Sequence, residues 1–290
     1  MKYFHFIFTL ILFPVVVAFA DLNEGLIAHY SFDGNANDSS GYKNHGIVNG
    51  ASLTDDRFGN KNSAYSFDGT DDFIKIQHND ILNVSNNFSI SFWVYRNSDN
   101  GTQTVITKGR DCLNSYFFNS GGRQFAIDYG KTWCGVDRVY QDFPKQEWHF
   151  ITGIIDNDSG KLLFYLDGNL TQEQAISSYH TTNSYPLIIG RHFTNSNGGG
   201  GYTYPFNGIV DDIRMYDRLL SESEIKMLFN ANALISGCIK FKNEALNTGN
   251  AMLMQSGEIF QNISLDSNGC FNFFNANEDK PFSVLIRKKD

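Results

Sequence analysis

Charge is scarce in this sequence, and basic charge is scarcer. Asp, Glu, Lys and Arg make up 19% of 290 residues, acids outnumber bases 31 to 23, and the formal net charge is −8. Nothing here would neutralise a phosphate backbone, which excludes nucleic acid as a partner; the acidity suits a bound cation instead. Catalytic signatures are also missing, with no H-E-x-x-H and no G-x-S-x-G. The 7 His are scattered without a Cys or Asp at ligand spacing and read as surface or packing residues. No apolar run beyond residue 20 is long enough to cross a bilayer as a helix.

The first twenty residues, MKYFHFIFTLILFPVVVAFA, are the exception. Lys2 precedes an apolar run, and Ala18-Phe19-Ala20 offers a small-x-small cleavage site before Asp21. This reads as a secretory signal peptide; the alternative is an uncleaved anchor helix, against which Pro14 and the cleavage site argue. The expected compartment is secreted and extracellular, or periplasmic, with no membrane span after cleavage. Only 4 Cys are present, and they permit three pairings. Cys112 with Cys134 and Cys238 with Cys270 are the simplest, because neither bridge crosses a domain boundary; four buried free thiols are the alternative.

What the chain has is aromatic bulk, 15% of residues with 26 Phe, in short apolar runs separated by Asn, Ser and Gly. That is an all-β composition. Strands are expected at 26–32, at 64–76 as strand, turn and strand, and at 104–109. NFSISFWVYR at 87–96 alternates strongly, Phe88, Ile90, Phe92 and Val94 against Ser89, Ser91, Trp93 and Tyr95. Aromatics on both sides imply a strand covered, or ligand-lined, on both faces. Hairpins are expected at 116–130 and 147–170, and a further strand at 185–191. GIVDDIRMYDRLLSESEIKMLF, Gly208–Phe229, joins a strand to a helix, with Ser221 and Glu224 forming a capping box. Asp211 and Asp212 are adjacent in that strand, so alternation sends one inward or into a groove, at a cost unless its charge is compensated. Composition shifts after Leu234, and a second unit of about four short strands follows.

In this order, GLIAHYSFDGNANDSSG, AYSFDGTDDFIKI, FSISFWVY, EWHFITGIID with KLLFYLDG, YPLIIGR and GIVDDIRMYDRLLSESEIKMLF resemble the LamG-like jelly-roll family of the concanavalin A-like lectin/glucanase superfamily. The segment ISGCIKFKN, MLMQSGEIFQ, DSNGCFNF and PFSVLIRK resembles a carboxypeptidase-regulatory-like or transthyretin-like module. These resemblances imply an all-β chain: an antiparallel jelly-roll sandwich with one short helix near its end, then a small second β-sandwich. The implied division is a signal peptide at 1–20, a LamG-like domain at 21–234 and the small sandwich at 235–290.

The resemblance also implies sites. LamG-like relatives commonly hold a structural calcium where the first strand meets a late one, which makes Asp33, Gly34, Asn35, Asp38 and Asp211 the candidate ligands; plain turns are the competing reading. Asp68, Asp71 and Asp72 read as a solvated turn. Related jelly-roll glucanases carry acids alternating as E-x-D-x-E, and no such strand exists here. Trp133, Tyr140, Tyr202 and Tyr204 stand in or near loops, where sugar rings stack, while Trp93 and Trp148 read as core. The expectation is a non-catalytic binder of glycan or of an extracellular or cell-surface protein. A glycoside hydrolase or its accessory module, and a structural adhesion protein without a small ligand, are the alternatives.

Overall fold

The computed structural model describes residues 21–83, 86–98, 101–110, 113–121, 124–130, 136–176, 182–194 and 201–230, and beyond these the strands within 235–288. The expected signal peptide, Cys112, Trp133 and Cys134 lie outside the described residues.

In chain order the strands are β1 (Leu26–Tyr30), β2 (Gly46–Asn49), β3 (Ser52–Thr54), β4 (Ala64–Asp68), β5 (Phe73–Ile76), β6 (Phe88–Arg96), β7 (Thr102–Arg110), β8 (Leu113–Gly121) and β9 (Gln124–Gly130). They continue as β10 (Val136–Asp142), β11 (Trp148–Asp156), β12 (Lys161–Leu166), β13 (Asn169–Ala175), β14 (Leu187–Ile189), β15 (His192–Thr194), β16 (Gly201–Thr203) and β17 (Asn207–Tyr216), followed by helix α1 (Glu222–Phe229). An eight-stranded sheet runs β13-β12-β11-β6-β17-β4-β3, with β1 also on β17. A seven-stranded sheet runs β10-β9-β8-β7-β14-β5-β2. All pairings are antiparallel, as in a jelly roll.

The alternation in β6 has the expected consequence. Phe88, Ile90, Phe92 and Val94 enter the main core between the sheets, where they meet Phe67, Ile74, Ile76, Ile106, Tyr116, Phe118, Leu187, Ile189, Val210 and Ile213. The other side of β6 has its own cover. Trp93 joins Phe150, Ile154, Tyr165 and Tyr216 in a second cluster under Ile225 and Leu228 of α1. Its indole also stacks on Phe229 at 5.7 Å. The helix can sit there because its start is fixed: the Ser221 side chain accepts from the Glu224 amide, and Glu224 returns the bond to the Ser221 amide. Trp148 is only half-buried, edge-on to Tyr95 at 5.8 Å.

The stretch 64–76 is not a hairpin. β4 belongs to the eight-stranded sheet and β5 to the seven-stranded one, so the turn between them crosses from layer to layer. Asp72 closes it by accepting the Asp68 amide at 2.9 Å. A second irregularity lies in the core: Lys108 shares a cross-strand row with Leu187 and Tyr116 and is fully buried. Its ammonium is held by Asn183 Oδ1 at 2.9 Å and the Tyr185 carbonyl at 2.8 Å, and burial lowers its pKa to about 8.

In the C-terminal segment, seven short strands are described rather than about four. They are β18 (Ile235–Cys238), β19 (Lys240–Phe241), β20 (Glu244–Ala245), β21 (Gly249–Gln255), β22 (Glu258–Ser264), β23 (Cys270–Phe273) and β24 (Phe282–Lys288). β18 pairs with β23, β19 with β20, and β21 with both β22 and β24.

Candidate functional site

The acids of β17 do not split between faces. A β-bulge interrupts the β6 register between Asp211 and Arg214, and Asp212 adopts φ +45°. The extra residue cancels one step of alternation, so both carboxylates meet side chains on the outer face of the eight-stranded sheet. Asp211 Oδ2 accepts from Arg57 Nη1 at 2.6 Å. Burial pushes the Asp211 carboxyl up to about 8, against the opposing pull of Arg57. Asp212 Oδ1 lies 2.9 Å from His29 Nε2 and 3.0 Å from Arg214 Nε. Burial opposes its ionisation too, but Arg214 and His29 outweigh that and hold it well below the usual carboxylate range.

The acids of the first loop do not gather with them. β1 does pair with β17, as the resemblance implied. Yet both Asp38 oxygens are spent on the backbone: Oδ1 accepts the His29 and Ser40 amides at 3.0 and 2.9 Å, and Oδ2 the Asn44 amide at 2.9 Å. Burial would raise its pKa, but these bonds and the Ser40 side chain bring it below the ordinary value. Asp33, Gly34 and Asn35 form an exposed turn in which the Asn35 side chain accepts the Asn37 amide and the Gly34 amide donates to the Asn62 carbonyl. The residue that compensates Asp211 is Arg57, from the turn after β3. Among the described residues Asp33, Asp38 and Asp211 are not a gathered group of acids, and Asp38 and Asp211 are bonded to backbone amides and to Arg57; calcium at Asp33, Gly34, Asn35, Asp38 and Asp211 stays an expectation that chelation tests. Among the described residues the carboxylates that do come within 4.8 Å of one another are those of Asp68, Asp71 and Asp72, at the crossover turn.

Of the aromatic candidates, Tyr140 falls on the seven-stranded sheet, Tyr202 on a separate two-stranded sheet of β15 and β16, and Tyr204 just after it. Tyr140, on edge strand β10, is 45% exposed, and its hydroxyl accepts from Arg138 Nη1 at 3.0 Å. Its register row crosses the seven-stranded sheet through Ala126 and Asn119 to Thr104. There the Thr104 amide donates to the Tyr204 carbonyl at 2.8 Å. Tyr204 is 49% exposed and holds φ +53°, with its ring 5.9 Å from that of His192. Left-handed backbone is rare for a bulky residue and collects at ligand clamps. Thr104 Oγ1 and Thr203 Oγ1 are buried and have no hydrogen-bond partner among the described residues. The row spans three inter-strand steps, about 14 Å, so Tyr140 and Tyr204 mark the two ends of one strip. Tyr202 is placed on β16, paired with Phe193, and its side chain lies outside the description. The threonine hydroxyls escaped the sequence reading, because a threonine in a strand carries no sign of whether its hydroxyl finds a partner.

Comparison with known proteins agrees with this architecture. The profile of the concanavalin A-like lectin/glucanases superfamily matches residues 68–226. Serum amyloid P-component of Bos taurus is 24% identical over 128 residues, covering 42% of this chain and 54% of that protein. This chain thus spans about half the length of the curated relative it matches. Among solved structures, the binding domain of botulinum neurotoxin DC in complex with rat synaptotagmin II superposes with TM-score 0.60 at 16% identity, covering 81% of this chain and 58% of the other. The same domain in complex with SialylT gives TM-score 0.60 at 15% identity, over 80% and 57%.

Proposed function

Because the chain belongs to the concanavalin A-like lectin/glucanase superfamily, we propose that it is a secreted binding protein, non-catalytic toward its ligand, a glycan on an extracellular or cell-surface partner. The observation that carries this reading is Tyr204, exposed and backbone-strained at the end of a row that crosses the seven-stranded sheet. A sugar ring needs an aromatic face to stack on, and Tyr204 offers one at the end of the strip that begins at Tyr140. The solved relatives support a binding role, one in complex with rat synaptotagmin II and one with SialylT. The acids of β17 do not form a glycosidase pair, since Arg57 and Arg214 already engage them. No calcium is needed at Asp211 for this reading.

The test is a glycan array probed with the chain from Asp21 onward, with release of reducing sugar from polysaccharides measured in parallel. Binding of a defined glycan is expected, weakened about tenfold by Tyr204→Ala, the loss of roughly 1.4 kcal/mol of stacking. Tyr140→Ala should weaken longer oligosaccharides more than single sugars. Sugar release would instead favour the hydrolase alternative, and undiminished binding by both variants would move the site elsewhere.

A further inference from the structure

On the opposite sheet, away from the strip, a serine, a histidine and a carboxylate form one line of hydrogen bonds. Ser39 Oγ lies 2.9 Å from His29 Nδ1, and His29 Nε2 lies 2.9 Å from Asp212 Oδ1. Exposure is graded along the line: the Asp212 and His29 side chains retain 13% and 18%, whereas Ser39 is exposed. An ionised carboxylate at Nε2 keeps the imidazole proton on that nitrogen. Nδ1 is then an acceptor, and the Ser39 hydroxyl has two acceptors in reach, Nδ1 at 2.9 Å and the His29 carbonyl at 3.2 Å, of which Nδ1 is the nearer. This is the connectivity of nucleophile, base and orienting acid, with the two ring nitrogens exchanged.

Two further features set this line apart from a casual surface contact. Asp212 holds its φ of +45° inside the β-bulge, and both bulges and strained residues re-aim side chains at working sites. The serine is also locked in place before anything binds. Its amide donates to the His29 carbonyl at 2.9 Å, Asp38 grips the amides of His29 and Ser40, and Ser40 Oγ donates to the Ile27 carbonyl at 3.2 Å. Such support fixes a reacting group against its base without help from substrate. Approach is open, because Ser39 is exposed.

We propose that Ser39 is a reactive serine that takes acyl or phosphonyl groups from activated esters, with His29 as its base and Asp212 as the residue that positions His29. Ser39 Oγ attacks the carbonyl carbon as its proton passes to His29 Nδ1. The ester C–O bond breaks, and the alcohol leaves with that proton. Water then attacks the acyl-serine, gives a proton to Nδ1, and releases a carboxylic acid and the free hydroxyl. The Ser40 amide is committed to Asp38, so it is not free to stabilise an oxyanion. The substrate class is therefore esters with good leaving groups, such as aryl esters, and deacylation is slow.

A fluorophosphonate probe on the full chain, read by intact mass and peptide mapping, tests this, with a burst assay on an aryl acetate beside it. The expected result is an adduct on Ser39 and a burst followed by slow turnover. Ser39→Ala should remove both. His29→Gln should slow labelling more than tenfold, and added imidazole should restore part of it in His29→Ala. Asp212→Asn should slow labelling while leaving Ser39 the labelled residue. The map is read on the parent protein, so no variant has to fold for the result to count. A parent whose Ser39 stays unlabelled, or a His29→Gln variant that labels as fast as the parent, overturns the proposal and leaves Ser39 as a loop staple.

Discussion

Arg57 Nη1 lies 2.6 Å from Asp211 Oδ2, although the two residues are 154 positions apart in the chain. The guanidinium also lies 4.3 Å from the Phe58 ring centre and 4.5 Å from that of Trp93. A turn has thereby supplied the cation that an acid in an apolar strand demands. Arg57→Met should destabilise the fold by about 1–3 kcal/mol, the loss of one partner from a buried charged hydrogen bond. The cost stays below that of an uncompensated buried charge, because Asp211, with its pKa raised to about 8, already holds its proton at neutral pH. Arg57→Met with Asp211→Leu should recover much of it. Urea midpoints check both variants. A chelator should leave the parent curve unmoved; a fall comparable to that of Arg57→Met would return a metal to Asp211.

Two buried groups give stability opposite dependences on pH. The Asp211 pKa is raised from 3.8 to about 8, so the folded state binds more protons than the unfolded chain between these values. Its contribution is full below pH 4 and is lost as pH rises through 8. The Lys108 pKa is lowered from 10.5 to about 8, so there the unfolded chain binds more protons. Its contribution rises with pH from 8 to 10.5. Together they place a shallow minimum near pH 8. Urea midpoints from pH 5 to 10.5 should trace it, with Asp211→Asn flattening the lower limb and Lys108→Met the upper.

Strand alternation and helix capping were legible in the sequence because both are local. β6 needs only its own nine residues to declare two buried faces, and α1 only Ser221 and Glu224 to declare its start. The acids were misread for the opposite reason. A bulge is a mismatch between two strands, so nothing within β17 alone reveals that Asp211 and Asp212 share a side. Nor does any local pattern tie Arg57 to Asp211, or show that Asp38 spends both oxygens on amides. The layer change after β4 was hidden similarly: Asp68-Gly69-Thr70 reads as a turn whether the next strand pairs back or joins the other sheet. Tyr140 and Tyr204 stood out as aromatics in or near loops, although Tyr140 lies within β10, and the strip between them exists only through the register of four strands.

Glycine matters in proportion to what its missing Cβ would meet. At Gly190, φ is +94° and a Cβ would lie 2.4 Å from Phe67 Cδ1, in the packed core. Gly190→Ala combines left-handed strain of about 1–2 kcal/mol with overpacking of about 1–3 kcal/mol. Gly59 has φ +81° but nothing within 4 Å, so Gly59→Ala incurs the strain alone. Thermal melts of the two variants should therefore separate clearly, with Gly190→Ala much the lower. Equal melting temperatures would mean that Phe67 yields its place without cost.

The strand register bears on one of the two expected disulfides. Cys238 and Cys270 stand directly opposite each other in the β18–β23 ladder. Opposed residues in an antiparallel pair have Cα atoms about 4.5–5.5 Å apart, inside the range a disulfide spans. A bridge would close the chain between these strands and is expected to add about 2–4 kcal/mol by restricting the unfolded state. Peptide mapping without reductant should yield Cys238 linked to Cys270, and Cys270→Ser should lower the melting temperature in the absence of reductant but not in its presence. Recovery of Cys238 linked to Cys112 or Cys134, or of free thiols in native material, would show that the ladder pairs two cysteines that chemistry leaves unjoined.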